Sequence, residues 1–235
     1  QVNLIKVNVE NYDQMARLIE GADHVISLVG ILHETKGNTF ETVQAKGPML
    51  VGKIAREKNV RSLVHVSAIG ADVNSKSLYA SSKGLGETYI RDEFEKTVIL
   101  RPSIIFGPND NFFNRFANLA AFAPFLPLIG GGTTKFQPVY VQDVASAIMV
   151  ALEDSAKIGN DYELGGPSIY SFRELLELLE KHTLRKRALV NIPFFLASLQ
   201  AKFLEILPNP PLTRDQVQLL KTDNIVSQDA LTLQD

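Results

Sequence analysis

The 235-residue chain contains no cysteine. That absence excludes disulfide bonds and thiol chemistry, and it is compatible with a reducing compartment. No run of 18 or more apolar residues occurs, so the sequence predicts no membrane-spanning helix. The net charge of only −2 does not indicate a nucleic-acid partner. The four histidines do not occur at metal-ligand spacings, and we therefore predict no metal site.

Apolar runs alternate with amphipathic segments along most of the chain. Such alternation is typical of an α/β protein with a parallel, doubly wound sheet. Strands are predicted over residues 2–9, 24–30, 61–66, 97–100, 136–141 and 161–164. Helices are predicted over residues 11–21, 39–58, 79–94, 112–122, 143–153 and 171–181. The run at 24–30 is apolar enough to be covered on both faces, and residues 124–132 are predicted to form a loop.

Several helix boundaries have recognisable signals. Asn11 and Ser171 are each followed three residues later by Gln or Glu, which is the pattern of a capping box. Gly21 is a C-terminal signal, and Asp143 is a predicted N-cap. The pair Gly47-Pro48 should kink the helix predicted at 39–58.

The most informative stretch lies between Ser67 and Lys83. Ser67 follows a predicted buried strand, at the end where ligands gather in open α/β sheets. Tyr79 and Lys83 are four residues apart and would share one helix face. A nearby ammonium is expected to lower the pKa of a phenol, which could then exchange a proton with a carbonyl or alcohol oxygen. The alternative is that Tyr79 and Lys83 are two solvent-exposed residues of a helix surface without a chemical role.

Ser67 followed by Tyr79-Ala-Ser-Ser-Lys83 resembles the Ser/Tyr-x-x-x-Lys site of the short-chain dehydrogenase/reductase superfamily. The resemblance implies a Rossmann-type fold and an NADP (NADPH) or NAD cofactor. It also implies catalytic roles for Ser67, which would hold the substrate oxygen, for Tyr79 as acid/base, and for Lys83, which would lower the pKa of Tyr79 and hold the ribose.

Further segments carry the same resemblance in the same order. Arg101-Pro102-Ser103-Ile104-Ile105-Phe106-Gly107-Pro108 is similar to a segment of the extended members that lies against the nicotinamide. Segments at residues 8–9 and 27–30 occupy positions that the family uses at the adenine and at a cofactor-facing strand end. The cofactor-binding residues implied are Asn8, Val9, Leu28, Val29, Gly30, Tyr79, Lys83, Pro102, Ile104 and Ile105.

A narrower resemblance covers essentially the whole chain. Residues 65–72, 135–141, 212–217 and 222–223 are similar to the branch that contains the nucleotide-binding accessory subunit of respiratory complex I and its bacterial relatives. This resemblance implies a bound dinucleotide without established turnover. It implies complex I subunits as partners, and it places the protein in the bacterial cytoplasm at the inner membrane, or on the matrix side in a eukaryote.

The chain departs from the family in two places. No Gly-rich phosphate loop or first strand precedes Val2, and we interpret the sequence as a fragment or a mis-started frame of a longer protein. The second departure follows Val43, where the Asn, Thr and Asn of the family are replaced by Gln44, Pro48 and Leu50. This change weakens the case for a complete proton relay.

We divide the chain into a nucleotide-binding core, residues 1–155, and a small α-rich C-terminal subdomain, residues 156–235. Within the latter, residues 184–190 are basic and residues 192–207 are rich in Phe and Leu. A helix of this kind either packs on the core or forms peripheral contact with an anionic membrane through residues 184–207.

Three interpretations of function remain open. The first is a nucleotide-binding protein in which NAD(P)H has a structural or assembly role in complex I. The second is an active NAD(P)-dependent oxidoreductase or epimerase that uses Ser67, Tyr79 and Lys83. The third is a fragment without a function of its own.

Overall fold

The computed structural model describes residues 2–235, which form two compact units. The first unit contains the residues up to Arg101 together with Ala145–Tyr162 and Gln234–Asp235. The second contains Pro102–Val144 and Glu163–Leu233. The division of the sequence after residue 155 concerns functional domains and stays a prediction.

Strands and helices alternate along the chain. The strands are β1 (His24–Ser27), β2 (Ser62–Val66), β3 (Val98–Pro102), β4 (Ile105–Phe106), β5 (Phe125–Ile129), β6 (Lys135–Phe136), β7 (Val139–Tyr140), β8 (Asp161–Leu164), β9 (Tyr170–Ser171) and β10 (Ala188–Ile192). The helices are α1 (Tyr12–Ile19), α2 (Gly47–Glu57), α3 (Leu78–Glu93), α4 (Phe113–Phe122), α5 (Val141–Glu153), α6 (Phe172–Thr183), α7 (Phe194–Leu204) and α8 (Arg214–Leu219). A π-helix, Glu41–Lys46, directly precedes α2, and short 3-10 turns occur at Gly130–Gly132 and Ser155–Lys157.

The main sheet has the strand order β1-β2-β3-β8. Strands β1 and β2 are parallel with His24 opposite Ser62, and β2 and β3 are parallel with Val64 opposite Val98. Because parallel neighbours need crossover connections, helices separate these strands in the sequence. The predicted Rossmann-type α/β class is confirmed.

Helices cover both faces of this sheet. Leu63 belongs to a buried apolar cluster that it shares with residues of α1, α2 and α3. The adjacent Ser62 points to the opposite face, as successive strand residues do, and its hydroxyl donates to the carbonyl of Leu152 in α5. The site-bearing strand β2 is therefore buried from Ser62 to His65, and its position is fixed by packing on both sides.

The predicted helix signals are mostly confirmed. The side chain of Asn11 accepts from the backbone N–H of Gln14, and Ser171 and Glu174 form a complete capping box. Gly21 follows α1 with φ +76°, a left-handed conformation that suits glycine. The prediction for Asp143 is wrong, because α5 begins at Val141 and Asp143 lies within its first turn.

Two predictions near the N-terminus are wrong. Residues 2–8 form no strand, and the side chains of Val2 and Leu4 are almost fully exposed. Strand β1 is shorter than the apolar run at 24–30, and it is not covered on both faces because Ile26 is exposed. It lies at the edge of the described sheet.

The interruption predicted at Gly47-Pro48 takes the form of a change of helix type. The chain is π-helical up to Lys46, and α2 starts at Gly47 with Pro48 in its first turn. Proline lacks a backbone N–H and is tolerated at a helix start. The π-helix thus absorbs an extra residue where an uninterrupted α-helix would clash with proline.

The second unit differs from its prediction at residues 124–132. Phe125–Ile129 form β5, which pairs in parallel with β10, although this segment was predicted to be a loop. Its core contains Leu126 and Leu128 of β5 with Phe172 and Leu176 of α6. The proline in the segment favours a loop locally, but burial of alternate leucines outweighs that preference.

Candidate functional site

Ser67 lies directly after β2, at the carboxyl end of the sheet. Its backbone N–H donates to the carbonyl of Leu100 at 2.7 Å, which ties it to the end of the neighbouring strand β3. The hydroxyl oxygen is buried and has no hydrogen-bond partner among the described residues. A buried hydroxyl without a partner is costly, so such an atom marks a place where a ligand could bind.

Lys83 lies on α3 with only 4% of its surface exposed. Its ammonium donates to the carbonyl oxygens of Val66 at 3.2 Å and Val29 at 3.4 Å. Burial lowers the pKa of Lys83 to about 8, while the carboxylate of Glu87 acts in the opposite direction. A cation therefore sits at the carboxyl ends of two adjacent strands, held by backbone atoms.

Tyr79 lies one turn before Lys83 on α3, as predicted, and it is half-buried. Its ring packs edge-to-face against Phe40, with the ring centroids 6.2 Å apart. Burial raises the pKa of Tyr79 to about 12. The expected lowering by Lys83 is not found, because the ammonium is directed to the strand-end carbonyls and desolvation of the phenolate dominates.

His65 is a buried residue of β2 that the sequence does not single out. Its Nδ1 lies 3.1 Å from the hydroxyl of Ser27, its partner residue in β1, and its Nε2 has no partner among the described residues. Burial, and then the charge of Lys83, lower the pKa of His65 to about 3. The imidazole is therefore neutral near pH 7. In the sequence, only the position of His65 within a predicted buried strand could have suggested that its imidazole is buried and neutral.

An ion-pair cluster follows the same helix. Arg101 donates three hydrogen bonds of 2.7 to 3.2 Å to the carboxylate of Glu87, one turn beyond Lys83. It also donates to Asp161 at 2.8 Å, and Asp161 in turn pairs with Arg91. In the sequence, Arg101 is noted as the start of the Arg-Pro segment that resembles the family's, whereas the structure makes it the link between α3 and β8.

Gln44 is a further polar residue whose contacts the sequence did not predict. It lies in the π-helix, is fully buried, and bonds to both the strand-end segment after β1 and helix α3. The sequence shows it only as a departure from the family pattern. The signal that could have identified it is a polar side chain within an otherwise apolar helix face.

Of the predicted cofactor residues of the first unit, Val29 and Gly30 contact Lys83, whereas Asn8, Val9 and Leu28 have other surroundings. Val29 and Gly30 lie at Lys83, and a Cβ on Gly30 would stand 3.2 Å from its ammonium nitrogen. Leu28 is largely exposed. Asn8 is used in the turn before α1, where its side chain accepts from the N–H of Glu10. Val9 packs near Gly47.

The other three predicted cofactor residues belong to the second unit. Pro102 is buried, and the carbonyl of Ile104 accepts from the N–H of Val139 at 2.9 Å. Ile105 pairs with Val139 between β4 and β7. These contacts show that Ile104 and Ile105 help to pair strands within the second unit. The cofactor role of the three residues stays a prediction.

Residues 2–235 contain neither a metal-binding cluster nor a membrane-spanning helix. No group of three or more His, Cys, Asp or Glu side chains could hold a metal ion in that part of the chain. None of its helices is long and apolar enough to cross a membrane.

Two solved structures illustrate the similarity in fold. One is a dTDP-glucose 4,6-dehydratase from Streptomyces venezuelae with NAD bound, with a TM-score of 0.70, 20% identity, and coverage of 80% of this chain and 66% of that one. Another is a dTDP-4-dehydrorhamnose reductase from Bacillus anthracis in complex with NADP, with a TM-score of 0.67, 15% identity, and coverage of 80% and 72%. At these identities the likeness establishes the fold alone.

Curated relatives match over the whole chain. "NADH dehydrogenase [ubiquinone] 1 alpha subcomplex subunit 9, mitochondrial" from Arabidopsis thaliana is 34% identical, over 100% of this chain and 61% of that protein. The protein of the same name from Mus musculus is 31% identical, over 100% and 63%. The chain therefore spans about three fifths of the length of these relatives.

The family comparison agrees with the geometry of the first unit. The sequence model of the NAD dependent epimerase/dehydratase family matches residues 1–165, which include Ser67, Tyr79 and Lys83. Of these, Ser67 and the ammonium of Lys83 lie at the carboxyl ends of parallel strands, where open α/β sheets bind ligands. The chain belongs to the NAD dependent epimerase/dehydratase family.

Proposed function

We propose that the protein binds NADPH or NADH at the carboxyl ends of β1 and β2, and that the nucleotide has a structural or assembly role in a respiratory complex I. The observation that carries the proposal is the buried ammonium of Lys83 beside strand-end carbonyls. The names of the full-chain relatives support the complex I context. Because the chain spans about three fifths of those proteins, their partners remain proposals for this one.

The residues present fit a dinucleotide. The unpartnered hydroxyl of Ser67 can donate to or accept from a ligand oxygen, and the ammonium of Lys83 can donate to ribose hydroxyls. Gly30 leaves the backbone beside Lys83 open, because any larger side chain there would crowd the ammonium. A nicotinamide, when bound, supplies hydride chemistry. The chain's own contribution is to bind the nucleotide and orient it.

A structural rather than catalytic role is supported by Tyr79. A general acid or base works best with a pKa near the operating pH, whereas burial raises the pKa of Tyr79 to about 12. The second candidate is an active oxidoreductase or epimerase, in which Tyr79 exchanges a proton at its phenolic oxygen and Ser67 holds the substrate oxygen. It is favoured by the retention of Ser67, Tyr79 and Lys83 together. A fragment without function is the third candidate.

A fluorescence titration of the purified protein with NADPH and NADH tests nucleotide binding. We expect micromolar affinity, and we expect Lys83→Met to weaken it by about tenfold or more, or about 1.4 kcal/mol. Lys53→Met is the matched control, because Lys53 is an exposed lysine on α2. No binding by the unsubstituted protein, or equal losses in both variants, would contradict the proposal.

Tyr79→Phe separates the structural from the catalytic candidate. If the nucleotide is structural, this variant retains the affinity and any nucleotide that co-purifies with the protein. If the protein is an enzyme, nucleotide binding persists but turnover of carbonyl or alcohol substrates is lost. Screening carbonyl substrates with NADPH and alcohol substrates with NADP+, with the change in NADPH absorbance as the readout for both proteins, therefore assigns the role.

Partner association has its own test. We expect the tagged protein to co-migrate, in native gels of solubilised host membranes, with a complex that has NADH:ubiquinone activity. In a bacterium it would lie on the cytoplasmic side of the inner membrane, and in a eukaryote on the matrix side of the mitochondrial inner membrane. Recovery only in the soluble fraction, without that complex, would argue against this part of the proposal.

The surface of α7 supports peripheral contact with an anionic membrane. Ala197 and Ala201 are buried, whereas Phe195 and Ile206, before and after them, are 70% and 82% exposed. The exposed apolar residues are Phe195, Leu196, Leu199, Phe203, Ile206 and Leu207. Residues 184–207 contain Arg185, Lys186, Arg187 and Lys202 against Glu205, a net charge of +3 in a chain of net charge −2. Apolar burial and attraction to anionic lipid add in such a segment.

Co-sedimentation with vesicles tests this surface. We expect the protein to bind phosphatidylcholine vesicles that contain phosphatidylglycerol more strongly than vesicles without it. The double substitution of Phe195 and Phe203 by Ser should abolish binding. Phe122→Ser is the control, because Phe122 is 93% exposed on α4, outside the α7 surface. Unchanged binding by the double variant would refute the assignment.

A further inference from the structure

Gln44 joins three segments of the first unit through its side chain. Its Oε1 accepts from the backbone N–H of Ile31 at 3.0 Å, and its Nε2 donates to the hydroxyl of Ser82 at 2.8 Å. The hydroxyl of Ser82 donates in turn to the carbonyl of Tyr79 at 2.9 Å. Because a backbone N–H needs an acceptor, only this orientation of the amide satisfies both partners. Its polar atoms are thus paired although the residue is fully buried.

The backbone around Gln44 is equally constrained. A Cβ on Gly86 would stand 2.0 Å from the carbonyl oxygen of Gln44, so α3 packs directly on this residue. The π-helix places the side chain between α3 and the segment after β1. Helix α3 contacts both the backbone and the side chain of Gln44. The segment after β1 is hydrogen-bonded to the side chain of Gln44, through the N–H of Ile31.

We propose that Gln44 is a positioning residue that fixes residues 29–31 against the turn of α3 bearing Tyr79 and Lys83, and so holds the nucleotide site in its binding geometry. Val29 supplies one carbonyl to the Lys83 ammonium, and Gly30 lies against both Lys83 and Gln44. The length of the side chain matters, since it reaches two segments at once. Gln44, at a position where the family has Asn, then retains a polar contact rather than losing polar function.

The nucleotide part of this proposal rests on the proposed function, so the test has two readouts. Amide hydrogen exchange at Ile31 measures the contact itself, and NADPH titration measures its consequence. Gln44→Met keeps the volume and removes the side-chain hydrogen bonds to Ile31 and Ser82, together with the longer one of 3.5 Å from Nε2 to the carbonyl of Tyr79. Val43→Ala is the matched control, because Val43 is a buried neighbour in the same π-helix with a purely apolar side chain.

We expect Gln44→Met to accelerate exchange at Ile31 selectively and to weaken NADPH binding about tenfold. Ser82→Ala should weaken binding less, and the double variant should bind no worse than Gln44→Met alone, because both substitutions break one chain of contacts. Val43→Ala should lower stability without a selective change at Ile31. A purely structural Gln44 would give the Val43→Ala pattern, and that result would overturn the proposal.

The two proposals can fail separately. If the unsubstituted protein does not bind NADPH or NADH, the proposed function and the nucleotide part of this inference both fail, while the exchange at Ile31 still decides whether Gln44 fixes the segment. If NADPH binds but Gln44→Met and Val43→Ala bind it equally, nucleotide binding stands and the positioning role is refuted.

Discussion

Replacing Arg101 by Met should be among the most damaging single changes outside the apolar core. Arg101 gives three hydrogen bonds to Glu87, whose side chain is only 8% exposed, while the Arg101 side chain is 23% exposed. Removing one partner of a buried ion pair costs about 3–5 kcal/mol because the other charge stays buried. Partial access of water to Arg101 places the expected loss at the lower end, about 3 kcal/mol.

The assay is urea unfolding at pH 7, followed by circular dichroism. With a slope of about 2 kcal/mol per M, a loss of about 3 kcal/mol lowers the unfolding midpoint by about 1.5 M. Arg61→Met is the control, because Arg61 and Asp23 form an ion pair with side chains 76% and 62% exposed. Exposed pairs contribute about 0–1 kcal/mol, so the midpoint of this control should change little.

A double variant distinguishes loss of packing from an uncompensated charge. Combining Arg101→Met with Glu87→Leu removes the buried carboxylate as well, and it should recover much of the stability lost in Arg101→Met. If Arg101→Met costs less than about 1 kcal/mol, or if the double variant is less stable than Arg101→Met, the reasoning about the buried pair is wrong.

Three further predictions concern stability. Because the pKa of His65 falls from 6.5 to about 3 on folding, the unfolded chain binds more protons than the folded chain between these pH values. The contribution of His65 to the free energy of unfolding should therefore be fully present above pH 6.5 and be lost as the pH falls toward 3. His65→Gln should flatten this pH dependence, measured by urea unfolding at several pH values. Gly86→Ala would place a Cβ 2.0 Å from the carbonyl oxygen of Gln44, so we expect a loss above about 2 kcal/mol in the same assay, whereas Thr88→Ser at an exposed position of α3 should cost less than about 0.5 kcal/mol. Ser171→Ala removes the N-cap of α6 and should cost about 1 kcal/mol, measured as a lower Tm, and an unchanged Tm would contradict this assignment.

The sequence predicts those features of the fold that depend on residues close together in the chain. Asn11 and Ser171 were recognisable caps, and the Tyr79 to Lys83 spacing predicted one helix, from which Lys83 reaches the end of β2. The site role of Ser67, Tyr79 and Lys83 stays a prediction. Alternation of apolar and amphipathic segments was sufficient for the α/β class.

What the sequence could not predict depends on contacts between distant residues. Strand β5 contains a proline and is stabilised by pairing with β10, more than 60 residues later in the chain. The exposure of Ile26 depends on what covers the outer face of an edge strand, which hydrophobicity alone does not reveal. The partners of Gln44 lie 13 and 38 residues away, so its role was visible only as a departure from a pattern.

The electrostatics of Tyr79 bear most directly on the choice between binding and catalysis. Bringing a pKa of about 12 to near 7 requires about 7 kcal/mol, at about 1.4 kcal/mol per pKa unit. An opposite charge close to a titratable group typically changes its pKa by about 1–3 units, so even a fully engaged Lys83 would leave the phenol well short of neutrality. Proton exchange at Tyr79 therefore requires a further lowering of this pKa by groups that bind at the site, the nucleotide included. Nucleotide binding requires no such change, since Lys83 and Ser67 already offer their polar atoms at the strand ends. Binding of a retained nucleotide therefore requires fewer changes at this site than catalysis does.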